Sequence, residues 1–144
     1  MRRCRAIRPE RPQGATEETQ AAGTERRSPA ISVLRTAAER RERRPIVLVY
    51  GNRRWEDVTF REELGDLLRA LPTLRVVYVL SQPHPKWQGE RGRVDEQLLR
   101  RHAPRDPTGW SALICGPPGM VAAASGALRS IGLPPSAIQA EGFG

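Results

Sequence analysis

Cysteine and histidine are scarce in this sequence: Cys4, Cys115, His84 and His102 are all that 144 residues contain. No spacing among them makes a zinc, iron–sulfur or disulfide framework, so metal chemistry is not expected. Long apolar runs are missing too. The longest, such as residues 46–50 and 76–80, are five residues each, far below the ~18 to 20 that a bilayer-crossing helix needs, so no transmembrane segment is expected. The N-terminus, Met1-Arg2-Arg3-Cys4-Arg5, is basic but lacks the apolar stretch of a secretory signal, and the chain reads as cytoplasmic. A length of 144 residues fits one domain and leaves little room for two.

Lysine is nearly absent as well, Lys86 being the single one among 24 basic residues. The net charge of +8 is unevenly placed: residues 1–45 hold 12 Arg against 6 Glu, whereas residues 46–144 hold 12 basic against 10 acidic groups. A nearly balanced body and so one-sided a use of arginine point to coding preference rather than to a phosphate-binding face. A basic tail alone supplies only the nonspecific, salt-sensitive part of nucleic-acid binding, and no nucleic-acid partner is expected.

What is present is an alternating pattern. Residues 1–27 offer Ile7 as the only large aliphatic after Met1, too little apolar surface to offset the entropy of ordering, and are expected to be disordered. From Ser28 the pattern changes. Ser28 suits an N-cap, Pro29 a first helical position, and Ile31, Leu34 and Ala38 share one face of a helix reaching about Arg43. Residues 46–50 form an apolar, β-branched run, as in a strand covered on both faces, ending at Gly51-Asn52. Thr59-Phe60-Arg61-Glu62 reads as a capping box, followed by Phe60, Leu64, Leu67, Leu68 and Leu71 at helical spacing until Pro72. Residues 74–80 predict a second strand, 81–92 a long loop, 94–102 a helix and 111–115 a third strand. After Gly116-Pro117-Pro118 a helix runs to about Ile131, with Met120, Ala124, Ala127, Leu128 and Ile131 inward, and residues 136–140 make a last strand.

Strand and helix alternating in this order predict an α/β fold, a parallel sheet with helices on both faces. Ligands bind such sheets at the carboxyl ends of the strands. Those ends are Gly51-Asn52-Arg53, Ser81-Gln82, Cys115-Gly116-Pro117 and Glu141.

Four segments stand at or near these ends in a telling order: Leu48-Val49-Tyr50-Gly51-Asn52-Arg53, Trp87-Gln88-Gly89-Glu90-Arg91-Gly92, Cys115-Gly116-Pro117-Pro118-Gly119-Met120 and Glu141-Gly142-Phe143. Together they make residues 28–144 resemble the nicotinamide-nucleotide domain of the ferredoxin-NADP reductase superfamily. The resemblance implies a module that binds NAD(P)H and presents it to FAD held on a separate barrel domain absent from this chain. The electron acceptor beyond the flavin is left open.

The resemblance sets the Cys115 sulfur against the nicotinamide carbon that gives up hydride, where a small polarizable side chain packs on a flat ring without adding charge. An inert core cysteine is the other reading. It places Gly116, Pro117, Pro118 and Met120 beside the nicotinamide ribose, since two prolines without amide hydrogens make a poor phosphate cradle. The same two prolines could simply start a helix. Gly51, Asn52, Arg53 and Arg54 fall where the family holds the second ribose, and arginines that can grip a 2′-phosphate lean toward NADPH, although Glu56 and Asp57 lie close by. Glu141 and Phe143 are implied at the flavin ring and the hydride path. His84 and His102 read as surface residues, and Trp55, Trp87 and Trp110 as loop covers.

One part of the family pattern is missing. An apolar first strand and a Gly-Gly-x-Gly-x-x-Pro turn should precede the first helix, yet residues 20–29 read Gln-Ala-Ala-Gly-Thr-Glu-Arg-Arg-Ser-Pro. The sheet is therefore expected to lack its central strand, the pyrophosphate its glycine nest, and the isolated chain much of its stability and turnover. An out-of-frame or misassigned start over residues 1–27 would account for the change. Alternatively the chain is a non-catalytic remnant or binding module of the same fold.

Overall fold

In the computed structural model, residues 3–9 and 28–142 are described. Strand β2 (Ile46–Asn52) is buried along its whole length, as its unbroken apolar run requires. Ile46, Leu48 and Tyr50 face one side of the sheet and Val47 and Val49 the other, because successive side chains alternate across a strand. Helices α1 (Pro29–Glu39) and α2 (Arg61–Ala70) cover the first side with Ile31, Leu34, Leu64 and Leu67. Helices α3 (Glu96–His102) and α4 (Pro118–Ile131) cover the second with Leu98, Leu99, Ala124 and Leu128. The α/β fold with helices on both faces is thus as expected.

Six strands form the sheet in the order β4-β3-β2-β1-β5-β6. Beside β2 these are β1 (Arg3–Pro9), β3 (Leu74–Leu80), β4 (Glu90–Arg91), β5 (Trp110–Gly116) and β6 (Ile138–Gly142). β2 pairs parallel with β3, β3 with β4, and β5 with β6.

The central position is not vacant. Arg3–Pro9, part of the segment expected to be disordered, fills it and runs antiparallel to both neighbours, with Arg3 opposite Gly51 and Cys4 opposite both Tyr50 and Cys115. Residues 10–27 lie outside the described residues. The physical reason is the sheet's backbone rather than this segment's side chains. Without a partner, the facing edges of β2 and β5 would strand buried N–H and C=O groups at roughly 1–3 kcal/mol each. An antiparallel ladder satisfies them as well as a parallel one does.

Local features agree with expectation in part. Ser28 caps α1, its hydroxyl accepting from the Ile31 amide at 3.5 Å. Thr59 caps nothing: its hydroxyl donates to the Asp57 carbonyl, and Phe60 occupies the N-cap of α2. Leu68 points outward at 40% exposure, while Leu64 is fully buried, so the apolar stripe of α2 is narrower than its leucines suggest. β4 lies inside the stretch read as loop. α4 ends at Gly132, whose φ of 118° permits the left-handed cap that closes the helix.

Candidate functional site

The carboxyl ends of β2, β3, β5 and β6 emerge on one crest because these four strands run the same way. The loops after β2 and β3 are tied together there. The Ser81 amide donates to the Asn52 carbonyl at 3.0 Å and the Gln82 amide to the Arg53 carbonyl at 2.8 Å. Beyond them a short 3-10 turn, Trp55–Asp57, is closed by the Asp57 carboxylate, which accepts from the Arg54 amide at 3.2 Å. The Asp57 amide in turn donates to the Arg54 carbonyl at 3.1 Å.

Asn52 is the one buried polar or charged residue among those described, at 6% exposure, and both polar atoms of its amide lack a hydrogen-bond partner. Leaving a buried amide unpaired costs about 1–3 kcal/mol, so such a group at a crest is a natural place for a ligand to complete. Arg53 and Arg54 stand beside it, exposed, with no carboxylate partner among the described residues. Gly51 is buried within β2 and brings no side chain to this corner. The donor set fits an anionic sugar-phosphate: two exposed guanidinium groups without a carboxylate partner among the described residues, an unpaired amide, and a backbone fixed by the β3 loop.

The second half of the crest lies at β5 and β6. Cys115 is register partner of Glu141, and Gly116 of Gly142, in a parallel pair. Cys115 is fully buried in the cluster that contains Tyr50 and Ile31, whereas Glu141 is exposed. After Gly116 the chain turns through Pro117, half-buried, and Pro118, exposed, into α4. Met120 is buried against the α3–α4 side. The accessible surface of this turn is therefore carried by Pro117, Pro118 and Gly119, while Cys115 is closed off from solvent. Phe143 lies outside the described residues.

Several residues near the crest escaped the sequence reading. Trp55, read as a loop cover, sits 5.0 Å edge-on from Tyr78 and 5.4 Å from Trp87, with the Arg61 guanidinium 5.4 Å from its ring. These rings wall the outer side of the β2 and β3 ends. The sequence signal, one aromatic within β3 and two in the loops after β2 and β3, becomes legible only once β2 and β3 are known to be neighbours. His102 is not a plain surface residue. Its Nε2 lies 2.9 Å from Glu90 Oε1, while Arg101 holds Glu90 Oε2 at 2.8 Å. Together His102 and Arg101 hold the Glu90 carboxyl below the usual carboxylate range.

Among the described residues no three metal-ligating side chains gather, and no helix is long and apolar enough to cross a membrane.

Comparison with known proteins agrees with this arrangement. Residues 21–126, more than half of the chain, match the model of the oxidoreductase NAD-binding domain family. NADH-cytochrome b5 reductase 1 of Aspergillus terreus is 32% identical over 111 residues, covering 73% of this chain and 38% of that protein. The nitrate reductase [NADPH] of Emericella nidulans is 32% identical over 109 residues, covering 73% of this chain and 12% of that protein. Among solved structures, the Amycolatopsis cytochrome P450 reductase superposes with a TM-score of 0.65 at 29% identity, over 76% of this chain and 32% of that one. The chain thus spans well under half the length of these relatives. A sheet crest of this kind, in a chain matched by that family over most of its length, leads to one conclusion: the chain belongs to the oxidoreductase NAD-binding domain family.

Proposed function

We propose that this chain is the nucleotide-binding half of a flavin oxidoreductase, passing hydride from NAD(P)H to FAD on a separate domain, from which electrons leave singly. The observation that carries the reading is the unpaired, buried Asn52 amide at the end of β2, followed by two exposed arginines with no carboxylate partner among the described residues.

When bound, the nicotinamide supplies the hydride chemistry, and the protein's part is to hold and orient. Arg53 and Arg54 grip the phosphate-bearing ribose, their bidentate geometry favouring a 2′-phosphate over bare hydroxyls. Asn52 completes its amide on the same half of the ligand. Gly116, Pro117 and Pro118 give a firm surface without amide donors beside the nicotinamide ribose, with Met120 anchoring the start of α4. Cys115 and Glu141, side by side in the register, mark the reacting end, and Phe143 follows them in the chain. The acceptor is a redox protein or domain of the kind named in the relatives, cytochrome b5 among them.

The complete burial of Cys115 favours a second reading, a binding module of the same fold without turnover. Titration of the chain with NADH and NADPH, followed by dye reduction with FAD and a flavin domain added, separates the two. Nucleotide binding with dye reduction supports the oxidoreductase. Binding without reduction supports the module, and no binding of either nucleotide overturns both.

A further inference from the structure

The outer edge of β3 is only partly covered. The Gly92 amide donates to the Leu80 carbonyl at 2.8 Å, so the backbone groups of Leu80 point toward β4. Backbone direction alternates along a strand, and Val76 and Tyr78 therefore present their N–H and C=O groups to the same side. β4 reaches only the Tyr78 carbonyl, which faces the Glu90 amide across the Val79–Glu90 pair; the Val76 groups and the Tyr78 N–H lie beyond it. Its pairing is confined to Val79 with Glu90 and Leu80 with Arg91, and no strand among the described residues continues it.

In place of a strand there is a cleft of about 480 Å³, floored by residues 75–78 and walled by residues 87–90 and His102. The walls are fixed. Trp87 Nε1 donates to the Glu90 carbonyl at 3.0 Å, and Arg91 Nη2 donates to the Pro85 and Trp87 carbonyls at 2.9 and 2.6 Å. A Cβ on Gly89 would lie 2.4 Å from the Trp87 ring, so glycine is what lets the chain swing off the edge at this point. On the opposite wall Arg75 Nη2 donates to the His102 carbonyl at 2.9 Å.

Arg75 lines the cleft, and Lys86 and Arg91 flank its 87–90 wall in the chain, so the charge left over there has one sign. Glu90 is already matched by Arg101 and His102. Arg75 and Arg91 are spent on neutral carbonyls, and Lys86 is exposed; none of the three has a carboxylate partner among the described residues.

We propose that the open β3 edge docks an extended acidic peptide, which adds to the sheet as a further strand paired with the N–H and C=O of Val76 and the N–H of Tyr78. Main-chain hydrogen bonds would supply the affinity, and Arg75, Lys86 and Arg91 the preference for acidic side chains. A second copy of this chain fits less well. Edge-to-edge pairing about a two-fold axis would bring Arg75, Lys86 and Arg91 of each copy toward those of the other. The inference is independent of the nucleotide reading.

The test uses the full chain and three labelled peptides: alternating glutamate and valine, alternating lysine and valine, and the acidic peptide with alternate backbone nitrogens methylated. Fluorescence anisotropy reads binding, and amide hydrogen exchange reads Val76 and Tyr78. The acidic peptide alone should bind and slow exchange at both amides, and Arg75→Glu, an exposed position, should weaken it about tenfold. Should that variant lose its circular dichroism signal, the peptide series and the exchange data on the unaltered chain decide. Absence of binding, equal binding of the methylated or lysine peptide, or unchanged exchange at Val76 and Tyr78 overturns the proposal. So does self-association of the chain that protects the same amides without peptide.

Discussion

The Gln82 amide donates to the Arg53 carbonyl at 2.8 Å, fastening the loop after β3 to the residue that begins the loop after β2. This bond holds the Arg53 backbone in place while its side chain stays in solvent. A guanidinium on a fixed stem forms charge-assisted bonds at less ordering cost than one on a mobile loop. Replacing Arg53 with Ala is therefore expected to weaken NADPH binding by about tenfold or more, since such bonds contribute roughly 1.5–3 kcal/mol, and to weaken NADH less. Parallel titrations with the two nucleotides check the difference.

Asn52 makes a different prediction, because its amide costs stability as long as nothing pairs with it. Asn52→Leu keeps the branched outline of the side chain at a larger volume and removes the unpaired groups, so the melting temperature of the chain alone should hold or rise. Nucleotide affinity should fall. Thermal unfolding with and without NADPH measures both at once, and a loss of stability in the free chain would show that the amide has a structural partner.

Cys115→Ala, made in the chain joined to its flavin domain, is expected to slow hydride transfer more than it changes nucleotide affinity. Stopped-flow reduction of the flavin against a titration reads the two separately. Equal rates in variant and parent would leave Cys115 as a core residue of the α1–α2 side.

Core packing gives a contrast within one helix. Leu64 is fully buried and Leu68 is 40% exposed. Leu64→Ala should cost about 2–5 kcal/mol of stability, and Leu68→Ala under about 1 kcal/mol by the usual scale of surface changes. Urea unfolding of both variants tests the placement of the α2 stripe.

Acid should weaken the fold in a defined window. The side-chain hydrogen bond from Arg44 holds Glu42 at about 2 against an ordinary 4.5, and Arg35 lowers Glu63 in the same way. A carboxylate depressed in the folded state contributes stability that is present above its unfolded value and lost as pH falls through its folded one. For Glu42 the loss runs from about 4.5 down to about 2. These pairs are partly exposed, so each is worth only about 0.2–1 kcal/mol. Arg44→Ala should flatten the Glu42 part of the curve in pH-dependent unfolding.

Much of the fold is legible in the chain itself. Ile46, Leu48 and Tyr50 alternating with Val47 and Val49 announce a strand that must be covered twice. Ser28-Pro29 marks a helix start by local chemistry alone. Glycine and proline after residues 50 and 115 mark the strand ends where a ligand can approach, so Asn52, Arg53 and Pro117 could be singled out before any coordinates. These features depend on residues a few positions apart, and the physics that sets them is local.

Other features depend on distant residues meeting, and no local pattern encodes that. Arg3–Pro9 is a strand because β2 and β5 need a partner, not because its arginines favour one. Asn52 is an orphan, Glu90 is matched by Arg101 and His102, and Trp55 rests on Tyr78 only because sheet order brings β2, β3 and the start of β4 side by side. Sequence alone determined the alternation of elements and the crest where chemistry can occur. The tertiary structure decided which polar groups are left unpaired there, because hydrogen-bond satisfaction is settled by all neighbours at once.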